Sequence, residues 1–355
     1  MANLRVRRSF LVALGLSLAV SSALVAGTLT VRPGLPSNGG SARYSGTHGL
    51  EVNVASPDRT PAFVQSSHPS AETSYRVRFY LNLRGLTMTD GDELDVFDAY
   101  DGADPAPPTI AGNPALRVVV RQVSGAFQLS AFVRLNNGSE TQIPATVPLP
   151  RGWREVEVSW VRSSAAGAND GHLDLWVDGV AQTGLTGLAN DTEVVNYARL
   201  GAVSGVDAGT SGTFKLDDFA SQRTGYIGLL SVFADVPSTY VFWPWIQGIY
   251  AAELTSGCGS GNYCPTASVL RQEMSVFLLL AKEGFGYSPA PCVTPKFNDV
   301  PCSSPFAIWI NELANRGITG GCGGGNYCPN DPVTRGQMAV FLSGMFNIPP
   351  QRQGP

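Results

Sequence analysis

The sequence predicts a multidomain chain: an all-β sandwich followed by a small all-α module of helix–loop–helix repeats with disulfides. Three observations predict this: short alternating strands over residues 42–222, a duplication beyond residue 231, and six cysteines that all lie beyond residue 257. With 40 Gly, 25 Pro and only 15% charged residues, the composition favours strands, turns and loops over long surface helices. The expected segments are a signal peptide (1–27), a linker (28–41), a β-sandwich (42–222), repeat 1 (231–281), a second linker (282–296) and repeat 2 (297–347).

The first 27 residues predict an export signal. Arg5, Arg7 and Arg8 precede an apolar run over residues 10–25, and small residues follow. The run is shorter than a membrane span and no second run follows, so we expect no membrane span after signal cleavage. The Arg7-Arg8 pair before Ser-Phe-Leu fits a twin-arginine signal, whereas the Leu- and Val-rich run fits the general secretory route, so the export route stays open.

Charge excludes two classes of partner. The signal contains three arginines and no acids, so its removal takes the net charge from −4 to −7. A mildly acidic surface without basic clusters argues against nucleic acid and against anionic lipid as partners.

Residues 42–222 predict many short strands. The segments 75–81, 156–161 and 173–179 alternate apolar with polar residues, and the last ends in an Asp-Gly turn. Further predicted strands are 116–122, 127–133, 198–203 and 213–219. Clusters of Gly, Asn, Asp and Ser separate these segments, which indicates a sandwich or a barrel.

An acidic run within this region contains Asp92, Asp95, Asp98 and Asp101. Because Ca²⁺ favours carboxylate oxygens, these residues are weak candidate calcium ligands. The alternative is a solvated strand edge whose charges discourage edge-to-edge association. The run has no Glu-x-Asp-x-x-Glu pattern, the three histidines are scattered, and no Gly-x-Ser-x-Gly elbow or phosphate loop occurs. We therefore predict no catalytic residues and no cofactor other than this calcium candidate.

The C-terminal part is an internal duplication. A shift of 64 residues aligns 233–281 with 297–345 without a gap, with identities at 22 of 49 positions. Each copy has Phe-x-Asp-Val-Pro, a helical stretch with Trp245 or Trp309, a Gly-rich loop and a second helix. Thr334-Arg335-Gly336-Gln337 predicts a capping box, whereas Leu270 replaces the Thr in copy one. A unit of this size cannot bury its apolar face alone, so we expect the copies to pack together.

An even number of cysteines in an exported chain predicts disulfides. The repeat favours two local pairs at identical spacing, which leaves two cysteines to pair with each other: Cys258–Cys264, Cys322–Cys328 and Cys292–Cys302. Zinc is the alternative, but the spacing within the two local pairs differs from that of zinc sites, and this half of the chain has no histidine.

Over roughly residues 231–347 the Phe-x-Asp-Val-Pro motif, the Trp-Ile helix, the Gly-rich turn ending in Pro and the Thr-Arg helix start resemble the S-layer homology (SLH) repeat. Members of that family anchor proteins to the cell envelope, commonly by gripping pyruvylated cell-wall polysaccharide through an Arg. The resemblance implies this role for Arg335 and its counterpart Arg271. The alternative is a first-turn arginine hydrogen-bonded to a neighbouring carbonyl. Trp245 and Trp309 are either core residues or sugar-stacking platforms.

The family usually has three repeats, whereas this chain has two. A homodimer that completes the repeat set is therefore an open alternative.

The segments Gly152-Trp153, Gly171–Gly179 and Gly212–Phe219 resemble a laminin-G or concanavalin-A-like jelly roll. In that family these residues determine the fold. Many such domains bind carbohydrate or protein ligands, and some are glycoside hydrolases or lyases.

The sequence thus predicts a non-catalytic exported protein of a bacterium, at the cell surface, in the periplasm or in the extracellular envelope. Its repeats would bind cell-wall or surface polysaccharide, and its sandwich would bind a glycan or protein ligand or act as a spacer. One alternative is a secreted glycoside hydrolase or lyase tethered by the repeats. Another is a self-assembling surface-layer component.

Overall fold

The computed structural model describes residues 18–19, 28–33, 43–46, 48–54, 61–102, 113–150, 152–283 and 287–352. The chain divides into two compact units, Met1–Leu229 with Arg352–Pro355, and Leu230–Gln351. Apart from Leu18–Ala19, the expected signal peptide lies outside the described residues. In the expected linker 28–41, Thr28–Pro33 is a strand paired with a neighbour rather than a linker, and residues 34–41 lie outside the described part.

The first unit consists of two antiparallel sheets. Sheet A has the strand order β1-β4-β15-β6-β7-β8-β10, with β9 also pairing with β8, and sheet B has the order β13-β12-β11-β5-β16-β3-β2, with β14 also pairing with β12. The strands are β1 (Leu18–Ala19), β2 (Thr28–Pro33), β3 (His48–Val54), β4 (Ala62–Glu72), β5 (Ser74–Thr87), β6 (Glu93–Tyr100), β7 (Pro114–Val123), β8 (Ala126–Arg134), β9 (Glu140–Gln142), β10 (Val147–Pro148), β11 (Trp153–Val161), β12 (Gly171–Val177), β13 (Val180–Ala181), β14 (Leu185–Leu188), β15 (Val195–Ser204) and β16 (Ser211–Gln222).

The core lies between the two sheets and is built from alternate residues of their strands. Trp160 and Phe79 of sheet B and Phe97 of sheet A are fully buried in it. All seven predicted strands are present, and the predicted all-β sandwich is confirmed. The Asp178-Gly179 turn joins β12 to β13 with φ of 52° and 71°, the left-handed geometry that a tight hairpin needs.

Polar residues on the outer face of sheet B are buried, whereas the alternation of apolar and polar residues predicts that they are exposed to water. Arg78, Glu155 and Glu157 are 5%, 0% and 0% exposed. Residues 227–228 cover part of this face, because the Ile227 and Gly228 N–H groups donate to Glu157 at 3.0 and 2.8 Å. The Gly228 carbonyl in turn accepts from Arg78 Nη1 at 2.8 Å. Buried charges need such partners, since an unpaired buried charge is strongly destabilising.

The described residues of the second unit form four helices and two short strands: α1 (Trp243–Ala251), β17 (Ser268–Leu270), α2 (Arg271–Glu283), α3 (Ala307–Asn315), β18 (Pro332–Thr334) and α4 (Arg335–Phe346). Helix α1 packs on α4, and α2 packs on α3 and α4. Each copy thus packs its helices against those of the other, which confirms the expected mutual burial. Helix α2 reaches two residues into the expected linker 282–296. Within the described residues, every helix is too short or too polar to cross a membrane.

The predicted capping box at α4 is confirmed: Thr334 Oγ1 accepts from the Gln337 N–H at 3.2 Å, and Gln337 Oε1 accepts from the Thr334 N–H at 2.9 Å. Copy one keeps only half of it, because Glu273 accepts from the Leu270 N–H at 3.2 Å and Leu270 has no hydroxyl.

We expect Thr334→Ala to lower the free energy of unfolding by about 1 kcal/mol, the usual effect of removing an N-cap side chain. Leu270→Thr should raise it by about 0.5 kcal/mol, since it completes the second box at the cost of a half-buried apolar side chain. Urea denaturation of both variants checks the pair. A stabilising Thr334→Ala would contradict the assignment.

Candidate functional site: two crossed arginine–tyrosine pairs

The two candidate arginines stand at the starts of α2 and α4. Strands β17 and β18 pair antiparallel with Ser268 opposite Thr334, so the start of each helix meets the other copy. The Arg271 N–H donates to the Asp331 carbonyl at 3.0 Å, and the Arg335 N–H donates to the Ala267 carbonyl at 2.7 Å. The two arginines therefore occupy equivalent places on either side of one two-stranded ladder.

Each arginine stacks on a tyrosine from the loop of the opposite copy. The guanidinium of Arg335 lies 4.6 Å from the ring centroid of Tyr263, and that of Arg271 lies 4.7 Å from the ring centroid of Tyr327. Arg335 Nε donates to the Tyr263 carbonyl at 2.7 Å, and Arg271 Nε donates to the Tyr327 carbonyl at 2.8 Å. The first-turn contact with a neighbouring carbonyl, one of the two alternatives from the sequence, is thus present in both copies.

The tyrosine hydroxyls close each pair. Tyr263 Oη donates to the Arg335 carbonyl at 2.9 Å, and Tyr327 Oη donates to the Arg271 carbonyl at 2.9 Å. Burial raises the pKa of both tyrosines to about 12, although each neighbouring arginine opposes the shift. Both hydroxyls therefore stay protonated and remain donors over the whole neutral range.

Within the described residues, no hydrogen bond is formed by the Nη atoms of either arginine. In the described part of the chain, Nη2 of Arg271 is buried without a hydrogen bond. Within the described residues, the guanidinium of Arg335 makes its contacts through Nε and through the face that stacks on Tyr263. Stacking and the carbonyl contact fix the guanidinium plane, so its remaining N–H groups are oriented before a ligand arrives.

Sequence reasoning missed the aspartates of the Asp-Val-Pro motifs. Asp235 accepts from the N–H groups of Tyr263 and Cys264 at 2.8 and 2.7 Å, and Asp299 accepts from those of Tyr327 and Cys328 at 2.7 and 2.7 Å. Their presence at the same position of both copies was the available signal. They hold the loop that supplies the stacking tyrosine.

The disulfide pairing is confirmed. The structure joins Cys258 to Cys264, Cys322 to Cys328 and Cys292 to Cys302, with Cα–Cα distances of 6.0, 6.1 and 5.3 Å. The first two close the Gly-rich loops whose next-to-last residues are Tyr263 and Tyr327. The disulfide and the aspartate therefore constrain the same loop in each copy.

The two candidate tryptophans are half-buried. Trp309 packs against the α2–α4 core and meets Tyr287 edge-on at 6.4 Å, and Trp245 meets Phe242 edge-on at 6.4 Å. Phe242 in turn lies against Gly336, next to Arg335, where an added Cβ would come within 2.8 Å of its ring. Trp245 is thus one side chain removed from the Arg335 pair, and a sugar-stacking role stays a prediction for both.

The candidate calcium ligands do not form one cluster. Asp92 accepts from the Thr89 N–H in a turn, Asp95 pairs with Arg117, and Asp98 accepts from Tyr100 Oη at 2.9 Å. Asp101 accepts from the Gly102 N–H at 2.6 Å. Among the described residues, no group of three or more acids, histidines or cysteines could hold a metal ion.

Fold and site together define a two-module protein: an antiparallel β-sandwich followed by a pair of helix–loop–helix repeats that exchange arginine–tyrosine contacts. Residues 296–339 match the family model of the S-layer homology domain. The matched segment begins just before Phe297 and includes Arg335. No curated protein matches the chain in sequence.

Several solved structures are similar to part of this chain at low identity. The receptor-binding domain of botulinum neurotoxin type G is 8% identical over 59% of this chain and 44% of its own length, with a TM-score of 0.37. The cellulose-induced protein Cip1 is 12% identical over 59% of this chain and 91% of its own length, with a TM-score of 0.39. An alginate lyase from Pseudomonas aeruginosa is 11% identical over 50% of this chain and 83% of its own length, with a TM-score of 0.34. This chain spans less than half the length of the neurotoxin domain. TM-scores at this level assign no activity to this chain.

Proposed function

We propose that this protein is an exported, non-catalytic envelope protein that its repeats attach to a cell-wall or surface polysaccharide. The observation that carries the proposal is the pair of Arg–Tyr stacks at equivalent places in the two repeats. The match to the SLH domain supports cell-surface anchoring in general. In this proposal Arg271 and Arg335 are the residues that contact the polysaccharide. In this proposal the sandwich is a carbohydrate- or protein-binding domain or a spacer.

The physical case rests on preorganised guanidinium groups. A guanidinium offers five N–H donors in a plane. Stacking on the tyrosine occupies one face of that plane, and the bond to the carbonyl occupies Nε. The Nη groups other than the buried Nη2 of Arg271 are then free to bind acidic or hydroxyl groups of a polysaccharide. Because the two pairs lie on one ladder, a polymer with repeating units would engage both, and binding at two sites raises the apparent affinity.

We expect the full chain to co-sediment saturably with isolated envelopes, and Arg271→Gln/Arg335→Gln to bind at least about tenfold more weakly, since each lost charged hydrogen bond is worth roughly 1.5–3 kcal/mol. Arg316→Gln is the matched control. It is another arginine of the same unit over a tyrosine, at 5.5 Å from the Tyr287 ring, but it is paired with Glu312 and Glu283.

Circular dichroism and thermal melting of each variant separate lost binding from lost folding. A folded double variant that binds envelopes as the unmodified chain does would contradict the proposal. A control variant that loses binding equally would show that the effect is not specific to the crossed pairs.

A further inference from the structure

The outer face of sheet A carries a polar pocket of about 460 Å³, here called the sheet A pocket. Its polar lining includes Asp95, Asp98, Tyr100, Arg117, Arg134 and Glu140. The strand neighbours Leu94, Val96 and Ala99 lie in the core, so Asp95 and Asp98 project to the opposite face. Small-molecule sites in proteins typically occupy about 300–1,000 Å³, so the pocket is large enough to hold a sugar.

The two arginines of the pocket are already paired with carboxylates. Arg117 donates from Nε and Nη2 to Asp95 at 3.0 and 2.9 Å and from Nη1 to Glu140 at 2.8 Å. Arg134 donates from Nε to Glu193 at 2.7 Å, and its Nη2 lies 3.7 Å from Asp101. Three carboxyl groups line the pocket with the two guanidinium groups: Asp95, Asp98 and Glu140. Glu193 and Asp101 add two more carboxyl groups beside Arg134, outside the lining. A ligand with its own negative charge would meet an excess of acid.

Asp98 is the group that needs a further partner. It is 1% exposed, and its Oδ2 accepts from Tyr100 Oη at 2.9 Å. Its Oδ1 is buried and has no hydrogen bond to any described residue. Burial, followed by the charge of Asp95, holds the pKa of this carboxyl well above its ordinary value. A buried polar atom without a partner is destabilising, and a ligand hydroxyl could supply the missing partner.

We infer that the sheet A pocket binds an uncharged, hydroxyl-rich sugar of a glycan. Below its raised pKa, the Asp98 carboxyl can donate to a sugar hydroxyl. The same hydroxyl can donate to Glu140, which keeps unused lone pairs beside its contact with Arg117. A uronate meets the acidic excess, so acidic sugars fit less well. The inference deepens the carbohydrate-binding role proposed for the sandwich, and it does not depend on attachment through the repeats.

The first test is binding of the full chain to a broad set of neutral oligosaccharides, including cello-, laminari-, manno- and xylo-oligomers, by titration calorimetry at neutral pH. Oligogalacturonate is the acidic comparison. We expect at least one neutral oligomer to bind at least about tenfold more tightly than oligogalacturonate. Preference for a charged oligomer, or no binding of any neutral oligomer, would overturn the inference.

Three variants locate the binding. Asn113→Trp fills the pocket from an exposed lining residue and should weaken binding at least about tenfold. Asp98→Ala removes the carboxyl that would bond the sugar hydroxyl and should also weaken binding at least about tenfold. Asp174→Asn, on the outer face of sheet B with 39% exposure, is the control and should change nothing. Unchanged binding by a folded Asn113→Trp would place the sugar elsewhere.

The pH dependence gives a second readout. The unmodified chain should lose affinity as the pH rises through the pKa of Asp98, because the carboxylate no longer donates, and Asp98→Asn should not. The charged or titratable groups that face Asp98 from its own and neighbouring strands are Asp95, Tyr100, Arg117, Glu140 and Arg199. A pH profile that Asp98→Asn leaves unchanged would assign the titration to one of these and overturn the role of Asp98.

Envelope co-sedimentation separates this inference from the proposed function. Asn113→Trp should still co-sediment, and Arg271→Gln/Arg335→Gln should still bind the neutral oligomer. If Asn113→Trp alone loses both activities, the sandwich is the attachment site. The sugar inference then stands and the anchoring role of the repeats fails.

Discussion

Glu157→Ala is expected to lower the free energy of unfolding of the sandwich by about 3–5 kcal/mol, the range for breaking a buried ion pair from one side. Glu157 is fully buried and accepts from Arg76 Nη1 at 2.9 Å. It also accepts from the N–H groups of Ile227 and Gly228. Alanine would leave a half-buried guanidinium and two backbone donors without their acceptor. The stack of Arg76 on Trp176, at 4.6 Å, does not replace that acceptor.

Glu93→Ala is the matched control for this prediction. Glu93 also pairs with an arginine on a neighbouring strand, Arg121 at 2.8 Å, but its side chain is 44% exposed. Exposed pairs contribute about 0–1 kcal/mol, so this variant should unfold close to the unmodified chain. Urea denaturation measures both, and hydrogen exchange of residues 226–228 should accelerate only in Glu157→Ala. Equal stability losses would mean that burial does not set the strength of the Glu157 pair.

The strands of the sandwich could be predicted because their apolar residues recur with a period of two, and this period depends on local sequence alone. What covers the other face could not be predicted in the same way. Arg78 and Glu157 have the spacing of solvent-facing residues, yet residues 227–228, some seventy positions away from Glu157, cover them. Burial of a polar face depends on such distant contacts. The same holds for Asp98, which the sequence places only in an acidic run.

The repeat module shows the reverse balance. Duplication let the sequence predict which cysteines pair, because equal spacing in two copies selects one pairing scheme among many. The resemblance to the SLH repeat pointed to Arg335, and the duplication gave Arg271 as its counterpart. The sequence could not predict that each arginine stacks on the tyrosine of the opposite copy, because both copies carry both residues. Only the pairing of β17 with β18 distinguishes a crossed arrangement from one within each copy.

Because that crossed arrangement depends on the loop geometry, Asp235→Ala/Asp299→Ala should destabilise the repeat unit by about 4 kcal/mol. Each aspartate accepts two backbone N–H groups, and hydrogen bonds to a charged group contribute roughly 1.5–3 kcal/mol each when shielded. Solvent reduces this to about 2 kcal/mol per site, since Asp235 is half-buried and Asp299 exposed. Hydrogen exchange at Tyr263 and Tyr327, together with thermal melting, measures the loss.

Asp331→Ala is the control, because this exposed aspartate contributes its backbone carbonyl rather than its side chain to the ladder, and it should shift the stability by less than about 0.5 kcal/mol. The pH dependence gives an independent check. Desolvation opposes ionisation of Asp299, but the N–H groups of Tyr327 and Cys328 outweigh it and hold the pKa below its ordinary value. Its stabilisation is therefore present above the ordinary aspartate pKa and is lost as the pH falls through the lowered value. Asp299→Ala should lack this acidic loss, and an unchanged acid profile would show that the carboxylate does not hold the loop.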